Sequence, residues 1–281
     1  MSATVFAAVI AAAAMHAGWN ALLKVRLDPF LALALVTGCS GIAALPLLAL
    51  FGWPRAEAWP WLFASLIVHL GYYATLTEAY RRADMSQVYP IARGGAPLLT
   101  ALASVTVLQE PLAIVPALGI AVLACGVVLL SLKGRRIGAV FDPAAMTFAL
   151  ATAGMICGYT LVDGIGARTA GNPHAYSAAL FVINGVPLPL FTLWRRGVSG
   201  LKPALGFLLP GAAGGAMSLG SYWIAIWAMT VAPIALVAAL RESSVLFAAL
   251  IAAAVLKEPL TPIRTGAAAL ILCGLVLIRW P

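Results

Sequence analysis

The segment RGGAPLLTALASVTVLQEPLAIVPALGIAVLACGVVL (residues 93–129) recurs, without a gap, as RESSVLFAALIAAAVLKEPLTPIRTGAAALILCGLVL (residues 241–277). In this alignment Arg93 falls on Arg241, and the Glu-Pro-Leu sequence that starts at Glu110 falls on the one that starts at Glu258. Alanine- and leucine-rich segments match by chance, but a shared turn and a shared arginine do not. The sequence therefore predicts an internal duplication.

The composition predicts that both copies lie in a membrane. Of the 281 residues, 63% are hydrophobic and only 9% are charged, whereas soluble domains are about 45–50% apolar and about 25% charged. Apolar stretches of about 20 residues recur, which is long enough to cross a bilayer as a helix. They lack the alternation of a membrane β-barrel. We expect an all-α integral membrane protein.

Loop residues divide the chain into ten predicted spans, at residues 4–23, 30–51, 59–80, 85–108, 112–132, 144–166, 174–194, 205–229, 233–256 and 262–278. Five spans per repeat is an odd number, so the second repeat enters the membrane from the opposite side. The prediction is two inverted five-helix repeats, residues 1–136 and 137–281. Short connections leave no room for a soluble domain.

Several local sequences resemble those of the drug/metabolite transporter (DMT) superfamily, in its ten-helix EamA-type form. They are the end of span one (residues 16–24, HAGWNALLK), the junction at residues 78–84 (EAYRRAD), the prolines Pro90 and Pro97 of span four, and the two Glu-Pro-Leu turns. The resemblance covers the whole chain. It implies a secondary transporter of small organic solutes, often an exporter of amino acids or related metabolites, with a central cavity and cytoplasmic termini.

The distribution of basic residues disagrees with that orientation. The odd-numbered loops hold most of them: Lys24, Arg26, Arg81, Arg82, Lys133, Arg135, Arg136, Arg195, Arg196, Lys202, Lys257 and Arg264. The even-numbered loops and the termini hold only Arg55, Arg168 and Arg279. The positive-inside rule would place the termini outside. The sequence leaves the orientation open.

Two arginines lie inside predicted spans, where charged side chains are rare and usually functional. Arg93 and Arg241 occupy equivalent positions, so we expect them to approach one another across the pseudo-two-fold axis. A guanidinium suits a substrate carboxylate or phosphate. The alternative is that each arginine ties a helix to a neighbouring acid, and Glu242 could neutralise Arg241.

Two acids, Glu242 and Asp163, are also expected deep in the membrane. Either could bind and release a proton, or hold a substrate ammonium group. The alternative is a structural ion pair with an arginine.

Aromatic and polar side chains recur at helical spacing, which predicts faces turned towards protein or a cavity rather than lipid. The candidate substrate-binding residues, besides the arginines, are His16, Trp19, Asn20, His69, Tyr73, Tyr89, Tyr159 and Trp223.

Two further expectations concern the backbone. Glu110 and Glu258 precede prolines, where a carboxylate can cap the following helix. Pro90, Pro97 and the pair Gly94-Gly95 should soften the fourth helix near Arg93.

The sequence contains no HExxH, GxSxG or Walker A pattern, and its four cysteines lack metal-ligand spacing. We therefore predict no enzyme activity, catalytic residue, metal, cofactor or nucleic-acid partner. The predicted function is secondary active transport of a small polar solute, an amino acid or related carboxylate-bearing metabolite, across the bacterial inner membrane by alternating access. Proton coupling is open, and we expect a monomer or weak homodimer. A multidrug or organic-cation exporter and a lipid or lipid-linked sugar flippase are alternatives, and a membrane-embedded enzyme is a remote one.

Overall fold

The computed structural model describes residues 1–22, 27–83, 85–131, 142–255 and 261–280. Within these ranges the chain forms α-helices, one 3-10 turn (Ala56–Ala58) and no β-strand. The helices are α1 (Ala3–Leu22), α2 (Pro29–Phe51), α3 (Trp59–Arg82), α4 (Met85–Thr106), α5 (Ile114–Ser131), α6 (Pro143–Thr169), α7 (Pro173–Asn184), α8 (Pro187–Leu205), α9 (Leu208–Val231), α10 (Ile234–Arg241), α11 (Ser244–Val255) and α12 (Pro262–Arg279).

The length and apolarity of these helices confirm an all-α membrane fold. Six segments of the described chain are long and apolar enough to cross a bilayer: Ala3–Leu22, Phe30–Phe51, Pro143–Thr169, Pro173–Leu205, Ile234–Ala254 and Pro262–Arg279. A shorter apolar helix covers Ile114–Leu130. Large apolar side chains on the outer surface, such as Leu209 and Ile114, are mostly exposed, which suits a surface covered by lipid.

Helix starts follow from the local sequence. A polar residue followed by proline begins α2, α6, α7 and α12, at Asp28, Asp142, Asn172 and Thr261. In α2, for example, the Oδ1 atom of Asp28 accepts a hydrogen bond from the backbone N–H of Leu31 at 3.0 Å. The cap satisfies an amide with no partner inside the helix, and proline at the first position loses nothing because that amide would be unpaired anyway.

Spans seven and nine differ from the sequence prediction. Each is two helices, α7 with α8 and α10 with α11, whereas we expected single helices. The predicted loop after span seven is also helical, because α8 continues to Leu205 beyond a kink at Gly197 (φ 63°). Glycine adopts this positive φ without the steric cost that a side chain would add.

The fourth helix is continuous, and its softening near Arg93 stays a prediction. Despite Pro90, Pro97 and Gly94-Gly95, α4 runs unbroken from Met85 to Thr106. The interruption lies instead in the equivalent span of the second repeat, between Arg241 and Ser244.

The last helices of the two repeats, α5 and α12, pack antiparallel at very short range. A Cβ added to Gly126 would lie 2.9 Å from the backbone nitrogen of Ile271, and one on Gly274 would lie 2.7 Å from the carbonyl oxygen of Gly119. Small residues allow such close backbone approach in membranes. Gly126 and Gly274 are equivalent in the sequence repeat, so each repeat contributes the same glycine to this contact.

The other helices pack in corresponding pairs. α3 packs on α6, and α9, the counterpart of α3, packs on α1, the counterpart of α6. α4 lies beside its own counterpart α10, and the two run in opposite directions, since Arg93 contacts Glu242 while Glu110 contacts Ile234. The interrupted span therefore lies at the centre of the bundle.

Some predictions fall outside the described residues. These are the second Glu-Pro-Leu turn with Glu258, the boundary between residues 136 and 137, and the basic residues Lys24, Arg26, Lys133, Arg135, Arg136 and Lys257. The division into two domains remains a prediction.

Candidate substrate-binding site

The interruption of span nine places polar groups in the middle of an apolar helix pair. Helix α10 ends at Arg241, Glu242 and Ser243 form a turn, and α11 begins at Ser244. The hydroxyl of Ser243 donates a hydrogen bond to the carbonyl oxygen of Leu240 at 2.7 Å. Such side-chain bonds to the preceding turn compete with regular helix geometry. All three residues that follow Arg241 are buried.

Arg93 reaches this interruption from α4 in the first repeat. Its Nε atom lies 3.0 Å from Oε2 of Glu242, and the two side chains are only 13% and 6% exposed. A weaker hydrogen bond of 3.4 Å runs from Nη2 of Arg93 to the hydroxyl of Ser244. Glu242 therefore pairs with the arginine of the other repeat and not with its neighbour Arg241.

The geometry of this ion pair is poor. Although Nε of Arg93 and Oε2 of Glu242 are close, neither atom makes an aligned hydrogen bond within the part of the chain that the structure describes. A buried ion pair needs good geometry and further hydrogen bonds to offset its desolvation. This pair stays together by charge attraction and is open to competition from another ligand.

Arg241 makes no ion pair with any residue in the described ranges. Its guanidinium carbon lies 4.6 Å from the ring centre of Tyr222, in a cation–π contact. This leaves its N–H donors available to a ligand. Glu242 lies beside the charge of Arg241 but forms its ion pair with Arg93, so Arg241 is the arginine of the two that has no ion-pair partner among the described residues.

A small cavity lies between α4, α6 and α10, beside this charge. Its lining includes Pro97 and Thr100 from α4, Tyr159 from α6, and Arg241 with Glu242. Its volume is about 10 Å³, the space of roughly one water molecule. An organic solute cannot enter this cavity unless the surrounding helices move apart.

Asp163 lies in a second polar cluster and is fully buried. Its Oδ1 atom accepts a hydrogen bond of 3.0 Å from the hydroxyl of Tyr176, and its Oδ2 atom accepts one from the hydroxyl of Tyr222. It forms no ion pair with an arginine in the described chain. Since Arg241 lies over the Tyr222 ring, this tyrosine connects the two clusters.

Some of the predicted aromatic residues lie beside the polar clusters at the centre of the bundle. The His69 ring stacks on Tyr159 at 4.3 Å, with Nδ1 2.9 Å from the carbonyl oxygen of Ser65. Tyr72, which the sequence analysis did not select, lies edge-on to Tyr159 and beside Tyr73. These rings extend the site along α3 and α6.

Three candidates on α1 interact mainly with one another. Nε1 of Trp19 donates to Nδ1 of His16 at 3.3 Å, and the Asn20 amide donates to the carbonyl oxygen of His16 at 2.8 Å. The His16 side chain is half-buried, whereas the Asn20 side chain is exposed.

The two remaining candidates have different neighbours. Tyr89 lies on α4, one turn before Arg93, and is partly buried against the core. Trp223 lies in a separate aromatic cluster, where its Nε1 donates to Nδ1 of His174 at 2.8 Å and its ring faces Phe51.

Glu110 connects the two repeats at one end of the bundle. Its Oε1 lies 2.6 Å from Nη2 of Arg168, and its Oε2 accepts hydrogen bonds from the Ile234 amide (2.9 Å) and the Ser104 hydroxyl (3.0 Å). Arg168 also donates to the carbonyl oxygens of residues 229 and 232. We call Glu110 and Arg168 the latch. Glu110 thus caps α10, not the following helix α5 as expected.

Sequence reasoning missed Tyr222, Tyr176, Ser244, His174 and Arg168. The side chain of each of these residues contacts a residue on another helix. Periodicity within a single span therefore cannot predict these contacts. The Glu-Ser-Ser sequence at residues 242–244 was the available indication of a break, since it interrupts an apolar stretch with three polar residues.

The described residues contain no group of three His, Cys, Asp or Glu side chains that could hold a metal ion. The centre brings together two guanidinium groups, two buried carboxyl groups and aromatic rings. This arrangement can bind and orient a small charged solute.

Comparisons with known proteins show which family this all-α bundle with buried charged groups is similar to. Residues 2–132 match the EamA-like transporter family. The first half of the chain is therefore similar to that family, which lies within the DMT superfamily, and this confirms the resemblance found in the sequence.

A solved crystal structure of another protein extends the comparison to the whole chain. The two share 18% sequence identity, superimpose with a TM-score of 0.76, and match over 99% of each chain. At this identity the similarity shows a shared fold. No curated protein matches the sequence significantly.

Proposed function

We propose that this integral membrane protein is a secondary active transporter of the bacterial inner membrane, moving an amino acid or a related carboxylate-bearing metabolite by alternating access. The observation that carries this proposal is the guanidinium of Arg241 at the interrupted centre of the bundle, which forms no ion pair with any residue that the structure describes. Anions are the natural ligands of a guanidinium, and a carboxylate fits its planar fork.

The charges around the interruption support an anionic or zwitterionic solute. Arg93, Arg241 and Glu242 together leave one positive charge in excess, which a substrate carboxylate would neutralise. Tyr159 and His69 would pack against the rest of the solute. The small volume of the cavity and the latch at one end of the bundle support alternating access, since helices must move apart to admit a solute.

An organic cation is the second candidate substrate, and Asp163 is the observation that favours it. This buried carboxylate has no arginine partner among the described residues. Both of its oxygens already accept hydrogen bonds from tyrosines, however, so a cation would have to displace them.

Thermal unfolding of the detergent-purified protein tests the proposal. The ligand panel contains L-amino acids, monocarboxylates and dicarboxylates, hydrophobic cations and phospholipids. A ligand at a hundred times its dissociation constant adds about 2.7 kcal/mol to the apparent stability. We expect carboxylate-bearing compounds to stabilise the wild type and to lose this effect in Arg241→Gln.

The matched control is Arg81→Gln, which removes an exposed arginine paired with Glu78 on the surface of α3. It should respond to the panel as the wild type does. Stabilisation by hydrophobic cations alone, sensitive to Asp163→Asn, would replace the carboxylate proposal with the organic-cation one. An Arg241→Gln protein that still responds to carboxylates would remove Arg241 from the site.

A further inference from the structure

The two buried acids are held in different ways. Asp163 accepts hydrogen bonds at both oxygens from tyrosines on α7 and α9. Glu242 forms its ion pair with Arg93 and lies beside the charge of Arg241, and its buried Oε2 makes no hydrogen bond to any described residue. The described part of the bundle therefore contains one acid fixed by hydrogen bonds and one that is displaceable.

The charged and titratable groups around Glu242 come from four helices. Arg241 precedes it on α10, Arg93 and Tyr89 face it from α4, and Tyr159 faces it from α6. His16 on α1 lies within range of both arginine charges. Among these groups Glu242 is the only acid, so the charge of Arg93 is available to any anion that displaces it.

Building on the proposed function, we propose that Glu242 is the proton-binding group that couples transport to a proton gradient. A substrate carboxylate binds between Arg241 and Arg93 and draws both guanidinium groups away from Glu242. The Glu242 carboxylate, left without an arginine, cannot stay charged cheaply inside the membrane, so it takes up one proton from the open side. When the substrate leaves, Arg93 pairs with Glu242 again and the proton is released to that side.

Proton and substrate therefore travel in the same direction, one proton for each carboxylate exchanged at Arg93. An inward proton gradient would drive uptake. Asp163 takes no part in the exchange, because two tyrosine hydroxyl groups donate hydrogen bonds to it and it does not pair with Arg93.

A ligand-free experiment tests the exchange directly. Replacing Arg93 by glutamine removes the charge that a bound substrate would draw away from Glu242. Infrared spectra of the reconstituted protein should show a protonated carboxyl band near neutral pH in Arg93→Gln that the wild type lacks. Adding Glu242→Gln should remove the band, whereas adding Asp163→Asn should leave it. Absence of the band, or its loss with Asp163→Asn alone, would overturn the proposal.

A binding experiment tests the coupling, with an equimolar mixture of L-amino acids as the probe. If one proton binds with each carboxylate, the concentration that gives half-maximal stabilisation should fall about tenfold per unit decrease in pH, over the range where free Glu242 is ionised. In Glu242→Gln this dependence should vanish.

The two experiments separate the failure of each proposal. A mixture that does not stabilise the wild type contradicts the amino-acid substrate and leaves the infrared result to decide the role of Glu242. A mixture that stabilises the wild type and Glu242→Gln with the same pH dependence contradicts proton binding at Glu242 while the substrate proposal stands.

Discussion

Replacing Glu110 should open the end of the bundle that the latch closes. Glu110 contributes an ion pair with Arg168, a cap on α10 and a bond from Ser104. Glu110→Gln keeps an oxygen that can cap α10 but loses the ion pair, whereas Glu110→Ala loses both. Comparing the two variants separates charge attraction from capping.

The free-energy cost of losing the ion pair depends on how exposed Glu110 and Arg168 are. The Arg168 side chain is 35% exposed and that of Glu110 is 14% exposed, so the pair is partly screened. Hydrogen bonds to charged groups are worth about 1.5–3 kcal/mol when buried and less when exposed. We take about 1.5 kcal/mol for Glu110→Gln, which shifts the balance between closed and open forms about tenfold. Loss of the cap in Glu110→Ala adds about 1 kcal/mol.

Cysteine labelling measures this shift. In a background without the four native cysteines, Ala238→Cys places a thiol on α10 at the cavity wall. A membrane-impermeant maleimide added from the latch side should label it about ten times faster in Glu110→Gln, and faster again in Glu110→Ala.

The control is Glu78→Gln, which removes a carboxylate paired with Arg81 and Arg82 on the surface of α3. It should not change the labelling rate. Equal rates in Glu110→Gln and the wild type, in proteins of equal thermal stability, would show that the latch does not hold this end closed.

Two further predictions concern stability and are measured by thermal unfolding in detergent. Gly274→Ala should destabilise the protein by about 1–3 kcal/mol, because the new Cβ would lie 2.7 Å from a backbone oxygen of α5. Gly266→Ala, on the same helix with nothing within 4 Å, should instead stabilise it by up to about 1 kcal/mol, and equal effects would contradict the close packing. Tyr222→Phe should cost about 1–3 kcal/mol by leaving Asp163 with one fewer donor. Tyr73→Phe is its control, and a matching loss there would argue against a role for the Tyr222 hydroxyl.

The sequence repeat predicted most of the architecture because a duplicated unit leaves a regular signal. Ten apolar spans, the aligned arginines and the shared glycines were all visible without coordinates. Gly126 and Gly274 align in the repeat, but the contact between α5 and α12 was not predicted.

The break in span nine was harder to predict, because the expected helix breakers lie in the other repeat. Pro97 and Gly94-Gly95 remain helical in α4, where neighbouring helices support the backbone. The break instead follows Arg241, where serines compete for backbone hydrogen bonds. The break after Arg241 was not among the predictions.

The pairing of charges could not be predicted at all from spacing. Glu242 is adjacent to Arg241 in sequence, yet consecutive residues on a helix point in different directions. The helix that packs opposite decides the partner, and here α4 brings Arg93. The same holds for Asp163, whose tyrosine partners lie on α7 and α9.

Helix α10 has a mechanical consequence that follows from its two ends. Glu110 caps its first residue, and Arg93 holds the glutamate directly after its last one. Eight residues of helix span only about 12 Å, and seven of them are fully enclosed by other helices. A short rod fixed to the first repeat at both ends cannot bend to absorb a displacement. When a substrate separates Arg93 from Glu242, the displacement of the C-terminal end of α10 must therefore strain the contact of Glu110 at its N-terminal end. Helix α10 thus couples movement at the site to movement at the latch.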